Sequence, residues 1–456
     1  MREKIAVIGG GISGLTSAVL LQANGCDTTL FTLHDPVAES SKGRPRPEFA
    51  SLHAAASILP HSVKSSRATH WTSVSQQYFS LLAFMARSGV RTQTHYEVFE
   101  EKPSFIPDYL LTFPSLRIFD ERQVGHPHAP RRSNASEIYG WGMDIFFCEA
   151  PEYLRFLYKT YRTLGGNISN SIPGHGGLSD YLSLDYQFYI NCVGHSSISF
   201  LEDASMQGMD APDDAMHEPL ADPFKAKFIK GHYLRLETRH PAITDQSGRF
   251  VSYNYTPLPQ VYRQSSGLAA DVYCYPRADA WILGGSRQEI DGVINFEEPW
   301  EKDDTSLGQD ETQMMFPSKD GRGLAIPRAI FDVNADILIG LSDGSLDLRK
   351  IIVDRPESLT AGMGYRFVRS SPTESIRLAS SRVLHRGEKY VLHNYGHGGS
   401  GYTLSWGCAY DILRILDKIG PESMWRPIPG DTKPQGDLSI GPMLAQLTKS
   451  IKEGDQ

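Results

Sequence analysis

The chain has 456 residues, of which 40% are hydrophobic and 21% charged, with a formal net charge of −8. These totals exclude a disordered chain, and they give no support to a general nucleic-acid binder, whose mark is a basic excess. The length exceeds one ordinary core and predicts two domains.

The five cysteines (Cys26, Cys148, Cys192, Cys274, Cys408) are odd in number, scattered and without CxxC spacing. That pattern suits neither a disulfide framework nor a zinc site and points to a reducing compartment. No apolar run reaches membrane-spanning length. The first strand-like segment begins at Ile5, leaving no room for a cleavable leader, and the ending "KEGDQ" is not a peroxisomal address. A cytoplasmic enzyme with no membrane or nucleic-acid partner is expected.

In "KIAVIGGGISGLTSAVLLQANG", Lys4 to Gly25, "IAVI" reads as a buried strand and "LTSAVLLQANG" as a helix stopped at Gly25. Between them Gly9, Gly11 and Gly14 have GxGxxG spacing. Gly9 permits a tight turn, Gly11 lets backbone approach a phosphate, and Gly14 lets helix and strand pack closely. Gly9, Gly10, Gly11, Ile12, Ser13 and Gly14 are therefore the candidate pyrophosphate cradle of a dinucleotide. The second strand, "DTTLFTL", ends where an acidic residue normally accepts from a ribose hydroxyl. That position holds Leu33, and the nearest acid, Asp35, is the candidate ribose ligand. FAD and NAD(P) share this fingerprint.

Further along, "GHPHAP" (His126, His128) reads as an exposed turn rather than a metal site. "NAS" at Asn134 is a sequon that a cytosolic protein would not use, and His195 after "NCVG" reads as structural, the alternative being a place near the cofactor. "HYLRLET", "RFVSYNY", "DVYCYP" and "AWILGG" alternate or are aromatic-rich and predict strands. The polar stretches 202–222 and 297–323 exceed what a compact core needs and are expected to be lids or insertions. Near the C-terminus the strand "KYVLHNY" meets "GHGGSG" and then a helical pattern, a second strand-to-helix turn stripped of side chains. Its N–H groups suit an anionic or electron-rich partner lying flat against backbone.

"VLHNYGHGGSGYTLSWGCA" resembles the signature of the D-amino acid oxidase family: two aliphatics, His393, Asn394, Tyr395, Gly396, a free position, Gly398, Gly399, Gly401, Gly407 and Ala409. "YINCVG", "ASLHAAASILPH", "VYCYPRADAWILGG" and "GYRFVRSSPTESIRL" resemble further landmarks of that family, in order along the chain. The resemblance implies an α/β protein: a Rossmann-type FAD domain assembled from residues 1–60, 146–197 and 370–420, and a mainly antiparallel α+β substrate domain from 61–145 and 198–369. Residues 421–456 would be a surface tail. It implies FAD as cofactor, held also by Ser51, Gly398, Gly399, Ser400, Gly401, Tyr402 and Thr403, with the Gly399 carbonyl facing the substrate amino group. Arg366 would clamp the substrate carboxylate with a two-pronged fit. Tyr273 would donate to the same carboxylate or be a packed strand aromatic, "VYCY" offering Tyr275 as well. Arg287 would either meet an acidic side chain, as in D-aspartate oxidases, or face outward from its strand. A second tyrosine of well-known members is replaced by Ala269.

The implied reaction moves the Cα hydrogen of a D-amino acid, as hydride, to the flavin. The imino acid is then hydrolysed to a 2-oxo acid and ammonia, and O2 is reduced to hydrogen peroxide. The alternatives are a biosynthetic relative that oxidises an unusual amine or amino-acid derivative, a flavoprotein without turnover, and a nicotinamide-dependent dehydrogenase. Monomer and homodimer both remain open.

Overall fold

The computed structural model describes residues 4–41, 46, 48–60, 63–120, 129–206, 208–209, 216–237, 243–262, 272–278, 280–290, 313–318 and 323–421. His126, His128, Ala269, residues 297–312 of the second polar stretch and the tail from 422 lie outside them.

Strand β1 (Lys4–Ile8), helix α1 (Ile12–Ala23) and strand β2 (Asp27–Phe31) open the chain, before the short helices α2 (Pro36–Ser41) and α3 (Ala50–His53). Helix α4 (Ala68–Leu82) leads to strands β3 (Val90–Phe99), β4 (Arg117–Phe119) and β5 (Tyr139–Cys148). Helix α5 (Ala150–Thr163), strand β6 (Asn167–Ser169), helix α6 (Leu178–Leu182), strand β7 (Phe188–Asn191) and helix α7 (Ser197–Met206) follow. Next come strands β8 (Ala226–Leu236), β9 (Val251–Thr256), β10 (Val272–Pro276), β11 (Trp281–Gly284) and β12 (Gln288–Ile290). Strands β13 (Gln313–Pro317) and β14 (Gly323–Pro327) pair with each other ahead of helices α8 (Arg328–Leu341) and α9 (Leu348–Asp354). Strands β15 (Leu359–Arg369), β16 (Ser380–Leu384) and β17 (Glu388–His393) and helix α10 (Gly401–Ile419) complete the described chain.

The fold is mixed α/β. One sheet has six strands in the order β16-β17-β7-β1-β2-β6, parallel except for the β16–β17 hairpin. It is buried on both faces, as parallel sheets are. The alternation within β1 shows why: Ile5 and Val7 enter one core with α1, α5 and α10, while Ala6 and Ile8 enter another with α6 and α7. Tyr78 of α4 stacks on Trp406 of α10 with ring centroids 4.6 Å apart, which fixes α10 against the outer helix.

The other sheet has nine strands and is largely antiparallel, running β12-β8-β11-β10-β9-β3-β5-β4, with β15 on the free edge of β8. Strands β11 and β12 pair in tandem with one edge of β8, at Tyr233–Leu236 and Phe228–Lys230, so residues 285–287 interrupt that edge. Tyr253, Tyr255 and Cys274 point into a core covered by α8. Period-two alternation sends Asn254, Tyr273 and Tyr275 to the opposite face.

The first polar stretch is not a free insertion over its described part. Its opening residues, 202–206, belong to α7, and 216–222 are fastened to the six-stranded sheet. Glu218 N donates to the Ser380 carbonyl (2.8 Å), and Arg377 donates to the Leu220 carbonyl (3.0 Å).

Candidate active site

A cavity of about 1380 Å³ is lined from both sheets. It exceeds the roughly 300–1,000 Å³ of a drug-sized ligand site and has room for a dinucleotide with a small substrate.

Both glycine-rich turns line it, the first with Gly9, Gly10, Gly11, Ile12 and Ser13, the second with Gly396, His397, Gly398, Gly399, Gly401 and Tyr402. Gly9 has φ +113°, and a Cβ there would stand 2.3 Å from the Cys192 carbonyl oxygen. Gly14 lies behind the cradle: a Cβ would meet the Gly9 carbonyl oxygen at 1.8 Å, so its part is close packing. Helices α1 and α10 both begin at the cavity, and neither has a side-chain cap. Two helix N-termini therefore face it, which suits a pyrophosphate and an electron-rich ring.

Ser51 joins the turns. Its Oγ accepts from Ile12 N (3.0 Å), leaving its own proton to donate, and its carbonyl accepts from the Tyr402 hydroxyl (2.7 Å). The polar residues ahead of the second turn are ties of the same kind. His393 Nε2 lies 2.9 Å from Ser381 Oγ, and Asn394 Nδ2 donates to Ser17 Oγ (3.1 Å). The Tyr395 hydroxyl donates to Asp222 Oδ2 (2.6 Å), and that carboxylate also takes a two-pronged bond from Arg369 (2.8 and 3.0 Å). Burial alone would raise the Asp222 pKa, but hydrogen bonds from Arg369, Tyr395 and the Phe224 amide outweigh it and hold it below the usual carboxylate value. At the signature's free position, His397 is 7% exposed and its buried Nε2 has no hydrogen-bond partner. Burial lowers its pKa to about 4, so the ring is neutral.

Tyr273, Arg287 and Arg366 line the cavity on the side of the nine-stranded sheet, together with Asn254, Tyr275 and Ser286. Missing side chains make room for two of them. A Cβ on Gly284 would lie 2.0 Å from the Tyr273 ring, and one on Gly231 would lie 2.7 Å from Arg366 Nη1. The same absent Cβ on Gly231 would be 3.3 Å from the Ser286 carbonyl, so the Arg366 guanidinium and the 285–287 interruption carrying Arg287 meet over one glycine. The carboxylates among the described lining residues are Glu48 and Asp180. Both belong to the dinucleotide end: Glu48 lies 3.7 Å from His34, just after β2, and Asp180 accepts from the His175 and Gly176 amides.

Three expected ligands are not among the residues that line the cavity. Asp35 is not a lining residue; its Oδ1 accepts from Val37 N (2.7 Å) and caps α2. Thr403 is buried, its hydroxyl donating to the Leu59 carbonyl (2.7 Å), and Ser400 is buried under the turn. His195, by contrast, lines the cavity. Burial lowers its pKa; Glu48 opposes that shift and His34 adds to it. Sequence reasoning missed the loop before α6. Its "GHGG", residues 174–177, repeats the tetrapeptide at 396–399, and His175, Gly176 and Gly177 line the same cavity.

The model of the family described as FAD dependent oxidoreductase matches residues 4–414. The chain belongs to that family. Human D-aspartate oxidase is 21% identical over 440 residues, covering 93% of this chain and 98% of the human protein. Local similarity is higher to D-amino-acid oxidase of Dictyostelium discoideum, 59% identical over 36 residues, but that match spans 10% of the relative and 8% of this chain. Among solved structures, glycine oxidase from Bacillus cereus has a TM-score of 0.54 at 14% identity, covering 91% of this chain and 96% of that one. L-α-glycerophosphate oxidase from Mycoplasma pneumoniae, with FAD bound, has a TM-score of 0.56 at 13% identity, covering 91% and 95%. These likenesses show the fold. FAD is the family's cofactor, and the two helix starts at the cavity, the cradle at Gly9–Ser13 and the buried Nε2 of His397 fit it. Among the described residues no helix is long and apolar enough to cross a membrane, and no cluster suits a metal ion.

Proposed function

We propose that this oxidoreductase oxidises D-amino acids at the carbon bearing the amino group, with preference for acidic side chains. The carrying observation is that two guanidinium side chains, Arg366 and Arg287, line the cavity beside Tyr273, with Arg366 and the 285–287 interruption meeting over Gly231. Arg366 takes the α-carboxylate with a planar, two-pronged fit, and Tyr273 adds a hydroxyl donor. The Gly399 carbonyl accepts from the substrate amino group, and Arg287 meets the side-chain carboxylate. Bound FAD supplies the acceptor for the hydride leaving Cα. The products are an imino acid, which water converts to 2-oxo acid and ammonia, and hydrogen peroxide from O2.

The three chain segments 1–60, 146–197 and 370–420 form the FAD domain in this reading, with 61–145 and 198–369 as the substrate domain. All five cysteines are buried and free, in keeping with a cytoplasmic setting.

Anaerobic flavin reduction with D- and L-amino acids and with L-α-glycerophosphate tests the reading. Arg366→Leu is expected to abolish saturable reduction by D-amino acids. Arg287→Leu is expected to remove the preference for D-aspartate while D-alanine remains usable. Reduction by glycerophosphate alone, or unchanged kinetics in Arg366→Leu, would refute it.

A further inference from the structure

The cavity wall carries two tyrosines, Tyr273 and Tyr275, on the same face of β10, with ring centroids 5.3 Å apart. The residues behind them differentiate the two. The β10–β9–β3 register sets Tyr273 against Asn254 and Asn254 against Glu97, and it sets Ser252 against His95 one row along. A polar patch thus runs from the cavity into the interior of the sheet. Glu97 and Asn254 are 7% and 8% exposed, and His95 and Ser252 are fully buried.

The patch has a direction. An ionised carboxylate accepts hydrogen bonds and donates none. Asn254 accordingly turns its amide nitrogen to Glu97, Nδ2 donating to Oε1 (2.9 Å). His95 Nε2 stands 3.1 Å from the same oxygen, and its Nδ1 is 2.9 Å from Ser252 Oγ. With Nδ2 committed, Asn254 offers Oδ1 on its other side, and the Tyr275 hydroxyl donates to it (2.7 Å). Once its proton is given to Asn254, the Tyr275 oxygen can only accept.

We infer that Tyr275 is a receptor for the substrate's amino group, held as an acceptor by the Asn254–Glu97–His95 chain. An N–H can donate to this oxygen, whereas a carboxylate brought there meets only lone pairs. The two tyrosines then divide the work: Tyr273 donates to the carboxylate and Tyr275 accepts from the amine. Glu97 touches no substrate; it is a positioning residue acting through Asn254. The inference rests on the proposed oxidation of an amino acid and adds the residue that distinguishes the amine from the acid.

The test separates amine from carboxylate recognition by pairing each substrate with its amine-free analogue. D-aspartate and succinate, and in parallel D-alanine and propanoate, are titrated anaerobically into the FAD-loaded protein, binding being read from the visible flavin spectrum. Loss of a hydrogen bond to a charged group predicts that Tyr275→Phe weakens amino-acid binding about 10- to 100-fold. The amine-free acids should stay within about twofold, since their contacts are untouched. In Glu97→Gln the side chain can donate, so Asn254 is free to turn and Tyr275 can donate into the cavity. That variant should weaken the amino acids and tighten the amine-free acids, a reversal that mere loosening of the wall would not produce. Should Tyr275→Phe fail to retain FAD, Glu97→Gln carries the test. Parallel loss for both members of a pair, or no change in either variant, would overturn the inference. Spectral binding of amino acids by the wild-type protein without flavin reduction would instead overturn the proposed reaction and leave the amine receptor standing.

Discussion

The two glycine-rich turns meet at one cavity and differ in how far side chains hold them. The first is fixed largely by backbone against backbone: Gly9 presses on the Cys192 carbonyl and Gly14 on the Gly9 carbonyl, with the Ser51 side chain binding its end. The second adds side-chain ties to its backbone bonds, which run from Asn394 to Asn191 and between Tyr395 and Arg377. His393 reaches Ser381, Asn394 reaches Ser17, Tyr395 reaches Asp222, and Gly396, at φ +89°, lies against the Ser375 carbonyl. A turn at the start of a β–α unit inherits its shape from the strand and helix it joins. A turn brought in from the far end of the chain has to be tied into place.

The comparison breaks first if the early turn tolerates a methyl group. A Cβ at Gly14 would lie 1.8 Å from a backbone oxygen, which no rotamer change relieves. The cost should exceed the roughly 1–3 kcal/mol of ordinary overpacking, because strand or helix must move. Gly14→Ala is expected to yield a protein that takes up no FAD, measured by visible absorbance after reconstitution. Normal FAD uptake would mean that the first turn is as adaptable as the second.

The late turn should fail differently, by losing an anchor. The Asp222 side chain is buried between Arg369 and Tyr395, so Asp222→Asn leaves a guanidinium buried without its countercharge. Removing one partner of a buried pair costs about 3–5 kcal/mol. A matching fall in the urea midpoint is expected, together with weaker FAD binding. The wild-type carboxylate has its pKa held below the unfolded value. Its stabilisation is therefore complete above the unfolded value and fades as pH falls through the folded one. The variant should lack that acid-sensitive component. A midpoint within about 0.5 kcal/mol of wild type, the range of an ordinary surface change, would remove Asp222 as the anchor.

This difference also explains what could be read from the sequence. The early cradle was legible because its constraints lie within a few residues, and GxGxxG spacing states them directly. Strands such as "RFVSYNY" and "DVYCYP" were legible because one face is apolar and the other meets the cavity. The late turn was legible through its resemblance to a family signature. The ties that hold it were not, because Asp222 and Ser381 lie outside the signature and reach it only through the sheet. Asp35 caps the next helix in the structure, and the local sequence alone does not separate that part from a ribose contact. Asn254 and Glu97 were invisible for the same reason as Asp222: only strand register brings them behind Tyr275.

The smallest effect lies at His397, the signature's free position, where the turn carries a side chain of its own. Burial holds this imidazole at about 4, against 6.5 for an exposed histidine. Between those values the unfolded chain binds a proton that the folded protein refuses, so stability falls as pH is lowered from 6.5 toward 4. One such group contributes at most about 1.4 kcal/mol per pH unit. His393, also buried and lowered by burial and by Arg377 and Arg369, adds to the slope in the same direction. His397→Gln keeps a polar side chain of similar reach but cannot titrate. Its FAD-free form should therefore lose stability less steeply than wild type across this window, by about one proton's worth of slope in urea midpoints measured at successive pH values. Identical slopes would mean that His397 accepts its proton without cost, and hence that the late turn opens around it more readily than its ties to Ser381, Ser17 and Asp222 allow.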